Sequence, residues 1–212
     1  MANLTTERLA LRPFRPADAN EFARLAGEWA VASMTSDIPH PLSAEQAVLW
    51  LKPARGEVRY AIEQNGAFIG GVGFYRRPSG AAELGFWLGT RWWGQGFATE
   101  AARAVVRYGF EKHAVPLFTS AHFSDNPASR NVLAKLGFVP TGDCRIECIS
   151  RGGDIEATTY ELDRQRAARF IPGLTRAPAA RERLREFVAW MRRGLDRGKP
   201  PSSSGQPTSG LS

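Results

Sequence analysis

The residues with the clearest chemical potential form a glycine loop in the middle of the chain, Arg91-Trp92-Trp93-Gly94-Gln95-Gly96-Phe97-Ala98-Thr99-Glu100. An apolar run at 83–89, short enough for a strand, precedes the loop, and a stretch typical of a helix follows it at 101–112. Because Gly94 and Gly96 lack Cβ atoms, the backbone can turn tightly and approach a ligand. The first N–H groups of the following helix have no intrahelical acceptor, so the loop is suited to bind a phosphate or pyrophosphate.

Two common phosphate-binding motifs do not match this loop. A Walker loop requires a Lys-Ser or Lys-Thr pair after its last glycine, whereas Gly96 is followed by Phe97-Ala98. The dinucleotide-binding fingerprint requires a third glycine three residues beyond the second, and that position is Thr99. The loop is therefore not a Walker loop, and its spacing disfavours a dinucleotide-binding fold.

The composition is typical of one globular domain with an appendage. The chain has 212 residues, of which 43% are hydrophobic and 10% are aromatic, enough to fill a core. No run of about 18 apolar residues is present, and residues 1–12 lack the basic-then-apolar pattern of a signal peptide. We therefore expect a cytoplasmic protein without a membrane partner. Because the chain has only two cysteines and three scattered histidines, no metal site is expected, and His113 and His122 are interpreted as peripheral.

The net charge of +7 is concentrated towards the C-terminus. Residues 1–170 contain 20 basic and 18 acidic side chains, whereas residues 171–212 contain 8 and 3. Residues 178–194 have the spacing of a basic amphipathic helix, and the Ser-, Pro- and Gly-rich residues 199–212 are predicted to be disordered. We interpret the helix as packing on the domain, and we expect nucleic-acid contacts, if any, only from this tail.

Strands and helices that would position the glycine loop follow from hydrophobic periodicity and turn signals. The turn Asn65-Gly66 between two β-rich runs predicts a hairpin, and a third antiparallel strand then leads into the loop. Strands are predicted at 4–12, 58–64, 67–75, 83–88, 116–123, 146–150 and 157–162, and helices at 15–26, 43–51, 101–112 and 125–136.

A second motif, Asn126-Pro127-Ala128-Ser129-Arg130-Asn131-Val132-Leu133-Ala134-Lys135-Leu136-Gly137-Phe138, follows the loop further along the chain. Together with Arg-x-x-Gly-x-Gly, it resembles the motifs of the GNAT family of N-acetyltransferases over residues 4–165. The Trp-Trp-Gly and Ala-Thr-Glu-Ala sequences are most similar to the branch that acetylates ribosomal-protein N-termini. The resemblance implies an α+β (α/β) GNAT domain at 1–170. Its mixed sheet would have antiparallel N-terminal strands, a splayed parallel pair and a C-terminal hairpin, flanked by four helices.

The resemblance also implies that acetyl-coenzyme A is the co-substrate. Its pyrophosphate would bind the glycine loop, and its pantetheine arm would lie along the preceding strand, where the N–H of Leu88 would face the thioester oxygen. Asn126 offers a side-chain amide to the same arm, although an asparagine before proline is equally compatible with a helix cap. The residues expected to bind the cofactor are Phe86, Trp87, Leu88, Arg91, Gly94, Gln95, Gly96, Phe97, Ala98, Thr99 and Asn126.

Two residues are candidates for proton transfer during thioester aminolysis. The resemblance implies that Glu83 is the general base, and desolvation among apolar neighbours would strengthen it; the alternative is a surface glutamate at a strand start. The hydroxyl of Ser129 could protonate the departing thiolate, or it could serve only as a helix cap. Many family members have a tyrosine acid at the position of Leu133, so the identity of the acid in this chain is open.

These observations favour an N-acetyltransferase that moves an acetyl group to a primary amine by direct attack on the thioester. The acceptor could be a protein N-terminus or a small molecule, since the loops around 27–43 and 145–157 contain no readable specificity motif. The alternative is a catalytically silent coenzyme A-binding sensor or adaptor whose basic tail contacts RNA or the ribosome. The sequence is compatible with a monomer or a homodimer.

Overall fold

The fold is built on one mixed sheet with helices on both faces. The computed structural model describes residues 2–52 and 54–175, so the predicted basic helix at 178–194 and the segment 199–212 lie outside the described residues. The strands are β1 Leu4–Thr5, β2 Ala10–Arg12, β3 Glu57–Gln64, β4 Ala67–Arg76, β5 Ala82–Leu88, β6 Leu117–Phe123, β7 Val139–Cys148 and β8 Gly153–Asp163. They are ordered β1-β2-β3-β4-β5-β6-β8-β7, and every neighbouring pair is antiparallel except β5 and β6. The predicted mixed sheet is confirmed.

Helices cover this sheet in two layers. They are α1 Ala19–Ala26, α2 Trp29–Ala32, α3 Ala44–Leu51, α4 Phe97–Lys112, α5 Pro127–Leu136 and α6 Arg164–Phe170. Short 3-10 helices occupy Pro16–Asp18, Thr90–Trp92 and Ile149–Arg151. Four helices were predicted, and the described residues contain two more, α2 and α6. Both are short, seven residues or fewer, which gives hydrophobic periodicity few turns in which to appear.

Several element boundaries follow from local sequence chemistry. Ser43 caps α3 by accepting the N–H of Gln46, whose side chain in turn accepts the N–H of Ser43, as in a capping box. Asn65 and Gly66 both have positive φ angles, 50° and 78°, as a tight hairpin turn requires. The hairpin of β3 and β4 is therefore confirmed at its predicted turn.

Alternating side chains divide the interior into two cores. On one face, residues such as Tyr60, Leu84 and Leu88 pack with α4 and α5. On the other face, Ala61 and Trp87 pack with the small layer formed by α1, α2 and α3. The alternation predicted for β5, with Glu83, Gly85 and Trp87 on one side, therefore agrees with the observed cores.

One expectation about the start of the domain needs correction. The single strand predicted at 4–12 is wrong, because a turn divides it: the N–H of Thr6 donates to the carbonyl of Leu9 at 2.9 Å, and β1 folds back on β2. At the other end, Ile171 and Leu174 are buried against the first core. The compact unit that contains them extends to Thr175. Within 2–52 and 54–175, no helix is both long and apolar enough to cross a membrane.

Candidate active site

The central feature of the site is the divergence of the parallel strands β5 and β6. They pair only at Ala82 with Phe118 and at Glu83 with Thr119. Immediately beyond this pairing, the hydroxyl of Ser120 donates a 3.0 Å hydrogen bond to the carbonyl of Leu84. A side chain thus replaces the backbone ladder at the last contact between the strands, and a gap opens towards the end of β5.

Backbone groups of β5 face this gap in alternation. The N–H of Gly89 donates to the carbonyl of Ile69 on β4 at 3.0 Å, and Trp87 pairs with Gly71. The backbone N–H and C=O of the intervening Leu88 therefore point away from β4. Its carbonyl indeed accepts a 2.7 Å hydrogen bond from the indole Nε1 of Trp93. Because the N–H and C=O of one strand residue point to the same side, the amide of Leu88 faces the gap, as does that of Phe86.

The glycine loop closes one end of the gap. Gly94 and Gly96 have φ angles of 73° and 82°, which side-chain-bearing residues rarely adopt. Gly96 is the N-terminal cap residue of α4 and has no side chain to accept the amides of the first turn. Glu100 makes the first helical bond, to the carbonyl of Gly96, so the N–H groups of 97–99 have no intrahelical acceptor.

A cleft of about 640 Å³ extends from this loop along the gap. Most of the predicted cofactor residues line it, namely Phe86, Trp87, Leu88, Gly94, Gly96, Phe97, Ala98, Thr99 and Asn126. Arg91 and Gln95 do not line it: the Gln95 side chain instead donates to the Arg91 carbonyl at 3.0 Å and closes the loop on itself. The cleft has unpaired amides at the loop end and apolar walls along β5, and Lys135 supplies a cation. These features suit a pyrophosphate joined to a long, mostly apolar arm.

A second cleft, of about 380 Å³, adjoins the first and is lined by residues of β4, β5 and β6. Its walls include Glu83, Gly85, Ser120 and His122, together with aromatic side chains from the small helical layer. The two clefts share Met34, Thr35, Phe86, Trp87 and Ser129. Ser129 is therefore at their junction, whereas Glu83 belongs to the second cleft only.

Glu83 does not have the apolar surroundings expected from the sequence. Its side chain is 36% exposed, and its carboxylate forms an ion pair with Arg77. The residue lies at the second and last position of β5–β6 pairing and lines the second cleft, where water can reach it. The expectation that the Glu83 carboxylate is desolvated is therefore wrong. Its partner Arg77 comes from the turn before β5, and the apolar pattern of the strand does not reveal it.

Asn126 and Ser129 are joined at the start of α5. The side-chain oxygen of Asn126 accepts the N–H of Ser129 at 3.0 Å, which confirms the helix-cap reading of Asn126. The same cap places both residues on the wall of the first cleft. Leu133, at the position where many family members have a tyrosine, is completely buried in the core and has no acidic group.

The segment Ser33–Ser36 was missed by sequence reasoning, although it lines the junction of the clefts. The turn between β7 and β8 holds it: Arg151 Nε donates to the Ser33 carbonyl at 2.7 Å, and the N–H of Ile149 donates to Ser36 at 3.0 Å. Arg151 also binds Asp125 at 2.7 Å, and its hydrogen bond and charge lower the pKa of that carboxyl despite slight burial. The two loops in which the sequence showed no readable motif are thus bonded to each other.

His122 was also misjudged as peripheral. It is buried on β6 and lines the second cleft. Its Nδ1 lies 2.8 Å from the carbonyl of Phe123, and its Nε2 lies 3.0 Å from the hydroxyl of Tyr160. A carbonyl only accepts, so Nδ1 has the proton, and in the neutral ring Nε2 accepts from Tyr160. No local pattern distinguishes such a histidine from an exposed one, because its partner is on β8.

Comparisons with known proteins agree with this architecture. Residues 8–139 match the family model of the acetyltransferase (GNAT) domain, which covers more than half of the chain, and the protein therefore belongs to the GNAT acetyltransferases. Acetyl-coenzyme A is the acetyl donor of this family. The chain is 29% identical over 173 residues to the uncharacterized N-acetyltransferase YoaA of Bacillus subtilis (strain 168), covering 77% of this chain and 97% of YoaA.

Solved structures share the fold at lower identity. RimL, a ribosomal L7/L12 alpha-N-protein acetyltransferase solved with coenzyme A, has a TM-score of 0.66 at 19% identity, covering 76% of this chain and 98% of RimL. The microcin C7 self-immunity acetyltransferase MccE, solved with acetyl-CoA and AMP, has a TM-score of 0.66 at 17% identity, covering 74% and 93%. The predicted family and fold are confirmed. Within the described residues, no group of three or more His, Cys, Asp or Glu side chains could hold a metal ion.

Proposed function

We propose that the protein is an N-acetyltransferase that transfers the acetyl group of acetyl-coenzyme A directly to a primary amine. The observation that carries this proposal is the meeting of two clefts at Phe86, Trp87 and Ser129. One cleft has the features of a cofactor site, and the other meets it at these shared residues. Such an arrangement allows a donor and an acceptor to bind together, as direct transfer without a covalent enzyme intermediate requires.

In the donor cleft, the exposed amides at the start of α4 would hold the pyrophosphate, and the strand residues Phe86–Leu88 would hold the pantetheine arm. The gap-facing N–H of Leu88 would donate to the thioester oxygen and stabilise the negative charge that develops there. Asn126 already accepts the Ser129 amide through its oxygen, which leaves its NH₂ group to donate to a pantetheine carbonyl.

In the acceptor cleft, an ammonium group must lose a proton before its nitrogen can attack the thioester carbonyl. Glu83 is the candidate base, and its position on the cleft rim suits proton transfer through water. As the C–N bond forms, the C–S bond breaks and its electron pair leaves on sulfur. Ser129, at the junction, is the candidate donor of a proton to the thiolate.

The acceptor cleft combines carboxylates with aromatic side chains. Asp37, Glu57 and Glu83 line it together with Phe14 and Trp50, whereas Arg59 is its only lysine or arginine among the described residues. Glu57 is paired with Arg59 and Glu83 with Arg77, so Asp37 is the lining carboxylate that has no ion pair within the described part of the chain. Asp37 and the aromatic walls favour a protonated amine attached to an apolar or aromatic body. A protein N-terminus is one candidate, since RimL has the same fold and acts on an alpha-amino group. A small-molecule amine is the other.

The proposal is tested by calorimetry with acetyl-coenzyme A, followed by incubation with a panel of N-terminal peptides, amino acids, polyamines and aminoglycosides. Release of free coenzyme A together with a mass increase of one acetyl group on an acceptor is the expected result. Absence of acetyl-coenzyme A binding would contradict the proposal. Tight binding of acetyl-coenzyme A without acetylation of any amine in the panel, or of any species in a lysate, would instead favour the sensor hypothesis.

A further inference from the structure

A carboxylate lies unexpectedly close to the proposed pyrophosphate site. Glu100 is in the first turn of α4, directly after the glycine loop, and its side chain is only 17% exposed. One of its oxygens accepts hydrogen bonds from the Thr6 hydroxyl at 2.6 Å and from the Arg8 backbone N–H at 2.9 Å. The other oxygen accepts from Arg8 Nε at 2.7 Å. The turn between β1 and β2 therefore binds the start of the helix.

This carboxylate is ionised at neutral pH. Burial raises the pKa of Glu100, but the hydrogen bonds from Thr6 and Arg8 outweigh it and leave the pKa below its ordinary value. A negative charge in a first turn stabilises the helix through its dipole. The same charge repels an anionic ligand at the helix N-terminus unless a cation neutralises it.

Arg8 is the cation in contact with this carboxylate. Beyond its bonds to Glu100, its guanidinium donates to the carbonyl of Gln95 at 3.1 Å and lies 4.5 Å from the ring centre of Phe97. One side chain thus contacts the carboxylate, the loop between the two glycines and the first residue of α4. Because the Gln95 carbonyl is held by Arg8, its partial negative charge is paired with a cation beside the cofactor cleft.

We propose that Arg8 is a positioning residue for the acetyl donor: it neutralises Glu100 and holds the Gln95 carbonyl, so that the loop presents amides to the pyrophosphate. This inference rests on the proposed donor site, and it assigns to the β1–β2 turn a function in cofactor affinity. It also explains why an acidic residue is compatible with a pyrophosphate-binding helix start.

The test compares Arg8→Met with the wild-type enzyme. We expect Arg8→Met to raise the Kd and KM for acetyl-coenzyme A about tenfold, as loss of a charge-assisted network implies, with kcat at saturating donor unchanged. The truncated donor acetyl-pantetheine, which lacks the pyrophosphate, should show no difference between the two proteins. Arg24→Met is the matched control, because Arg24 pairs with Glu21 on the exposed side of α1.

Two further variants separate the contributions. Removing both charges in Arg8→Met/Glu100→Gln should restore more than half of the lost affinity, because the repulsion disappears with its source. Arg8→Lys keeps the charge but loses the forked contact with both Glu100 and Gln95, so it should give an intermediate Kd for acetyl-coenzyme A. The same variant replaces Arg8→Met in the test if Arg8→Met fails to fold.

Several outcomes would overturn the inference. They are wild-type affinity in Arg8→Met, an equal penalty with acetyl-pantetheine, or no recovery in the double variant. A penalty that disappears with dephospho-coenzyme A would also overturn it, by showing that Arg8 binds the 3′-phosphate directly. If the wild-type protein itself does not bind acetyl-coenzyme A, the proposed function fails first, so the two failures are distinguishable.

Discussion

The hydroxyl of Ser120 donates to the carbonyl of Leu84 at the position where β5 and β6 cease to pair. This single side-chain bond replaces the next rung of the ladder and satisfies a carbonyl that the divergence would otherwise leave buried without a partner. The splay on which the donor cleft depends therefore begins at a specific polar contact.

Removing this bond should destabilise the splayed pair. Ser120→Ala leaves the Leu84 carbonyl without its donor, and we expect the free energy of unfolding to fall by about 1–3 kcal/mol. Urea denaturation followed by circular dichroism measures the change. Ser124→Ala, at an exposed position after β6, is the control and should stay within about 0.5 kcal/mol of wild type. Equal effects in the two variants would refute a special contribution of Ser120.

Replacing Gly94 or Gly96 with alanine should reduce the affinity for acetyl-coenzyme A more than it reduces the free energy of unfolding. Each substitution forces a side chain into the left-handed region at a cost of about 1–2 kcal/mol, and relaxation of that strain would turn the amides away from the ligand. Gly66→Ala is matched in strain, since its φ is 78° and a Cβ there meets no atom within 4 Å, but it lies in a remote hairpin turn. Calorimetry with acetyl-coenzyme A should show loss of affinity only at 94 and 96.

The proposed proton-transfer residues make separate predictions. Glu83→Gln should lower kcat about a hundredfold or more with little change in the Kd for acetyl-coenzyme A, because only the base is removed. Ser129→Ala should lower kcat less, since a thiolate is already a good leaving group. Steady-state kinetics with coenzyme A release as readout measures both. Unchanged turnover in the Glu83→Gln/Ser129→Ala double variant would show that the catalytic groups lie elsewhere.

Arg151 should affect the binding of both substrates. Its bond to the Ser33 carbonyl holds the segment that lines the cleft junction, and Arg151→Met removes that bond together with the link to Asp125. Because Ser33 and Asp125 line the first cleft and Ser36 lines the second, we expect the Kd for acetyl-coenzyme A and the KM for the amine both to rise several-fold. Arg145→Met, on the same hairpin but bonded to the Asp154 carbonyl, is the control. Wild-type values of both constants in Arg151→Met would contradict the assignment.

The buried pair Arg12–Asp18 should give the stability a pH dependence. Burial raises the pKa of Asp18, but hydrogen bonds from the Arg12 guanidinium and the Arg15 amide outweigh it, so the pKa lies below its ordinary 3.8. A carboxyl with a lowered folded-state pKa stabilises the fold above pH 3.8, and this contribution is lost as pH falls through the folded value. Asp18→Asn should therefore cost about 3 kcal/mol at pH 7, with the difference shrinking in acid.

Glu21 supplies the comparison for that experiment. Its ion pair with Arg24 lies on the surface of α1, where both side chains are largely accessible to water. Glu21→Gln should cost less than about 0.5 kcal/mol, because exposed pairs contribute little. Denaturation at several pH values measures both variants. A constant Asp18→Asn difference from pH 7 to pH 3 would contradict the assigned cause.

The parts of the fold that were predicted correctly depend on local chemistry. The Asn65-Gly66 turn, the capping box of α3 and the positive φ at Gly94 and Gly96 follow from the conformations that these residue types adopt within a few positions. Nine of the eleven residues expected to bind the cofactor line the first cleft, and they belong to the two motifs that the sequence displays. Its other walls, at 29–35, were not predicted. The function of these residues in cofactor binding stays a prediction.

The features that were missed depend on partners outside the element that carries each residue. Glu83 was expected to be desolvated, but Arg77 approaches it from the preceding turn. His122 was expected to be peripheral, but β8 covers it with Tyr160. The short helix α2 and the segment after it were not foreseen, because the turn between β7 and β8 holds that segment through bonds to Ser33 and Ser36.

By itself, the sequence determined most of the order of the elements, the glycine loop and the motif at 126–138, since these depend on backbone preferences encoded locally. The acetyl donor was implied by the resemblance of the two motifs to those of a known family. Only the tertiary structure decided where β5 and β6 cease to pair and which side chains surround Glu83. It also decided that Arg8 forms an ion pair with Glu100, which is distant in the sequence. Those relationships are set by packing and charge between segments that are distant in the chain. The position of the 33–36 segment at the cleft junction, where Ile149 and Arg151 hold it, belongs to this second kind.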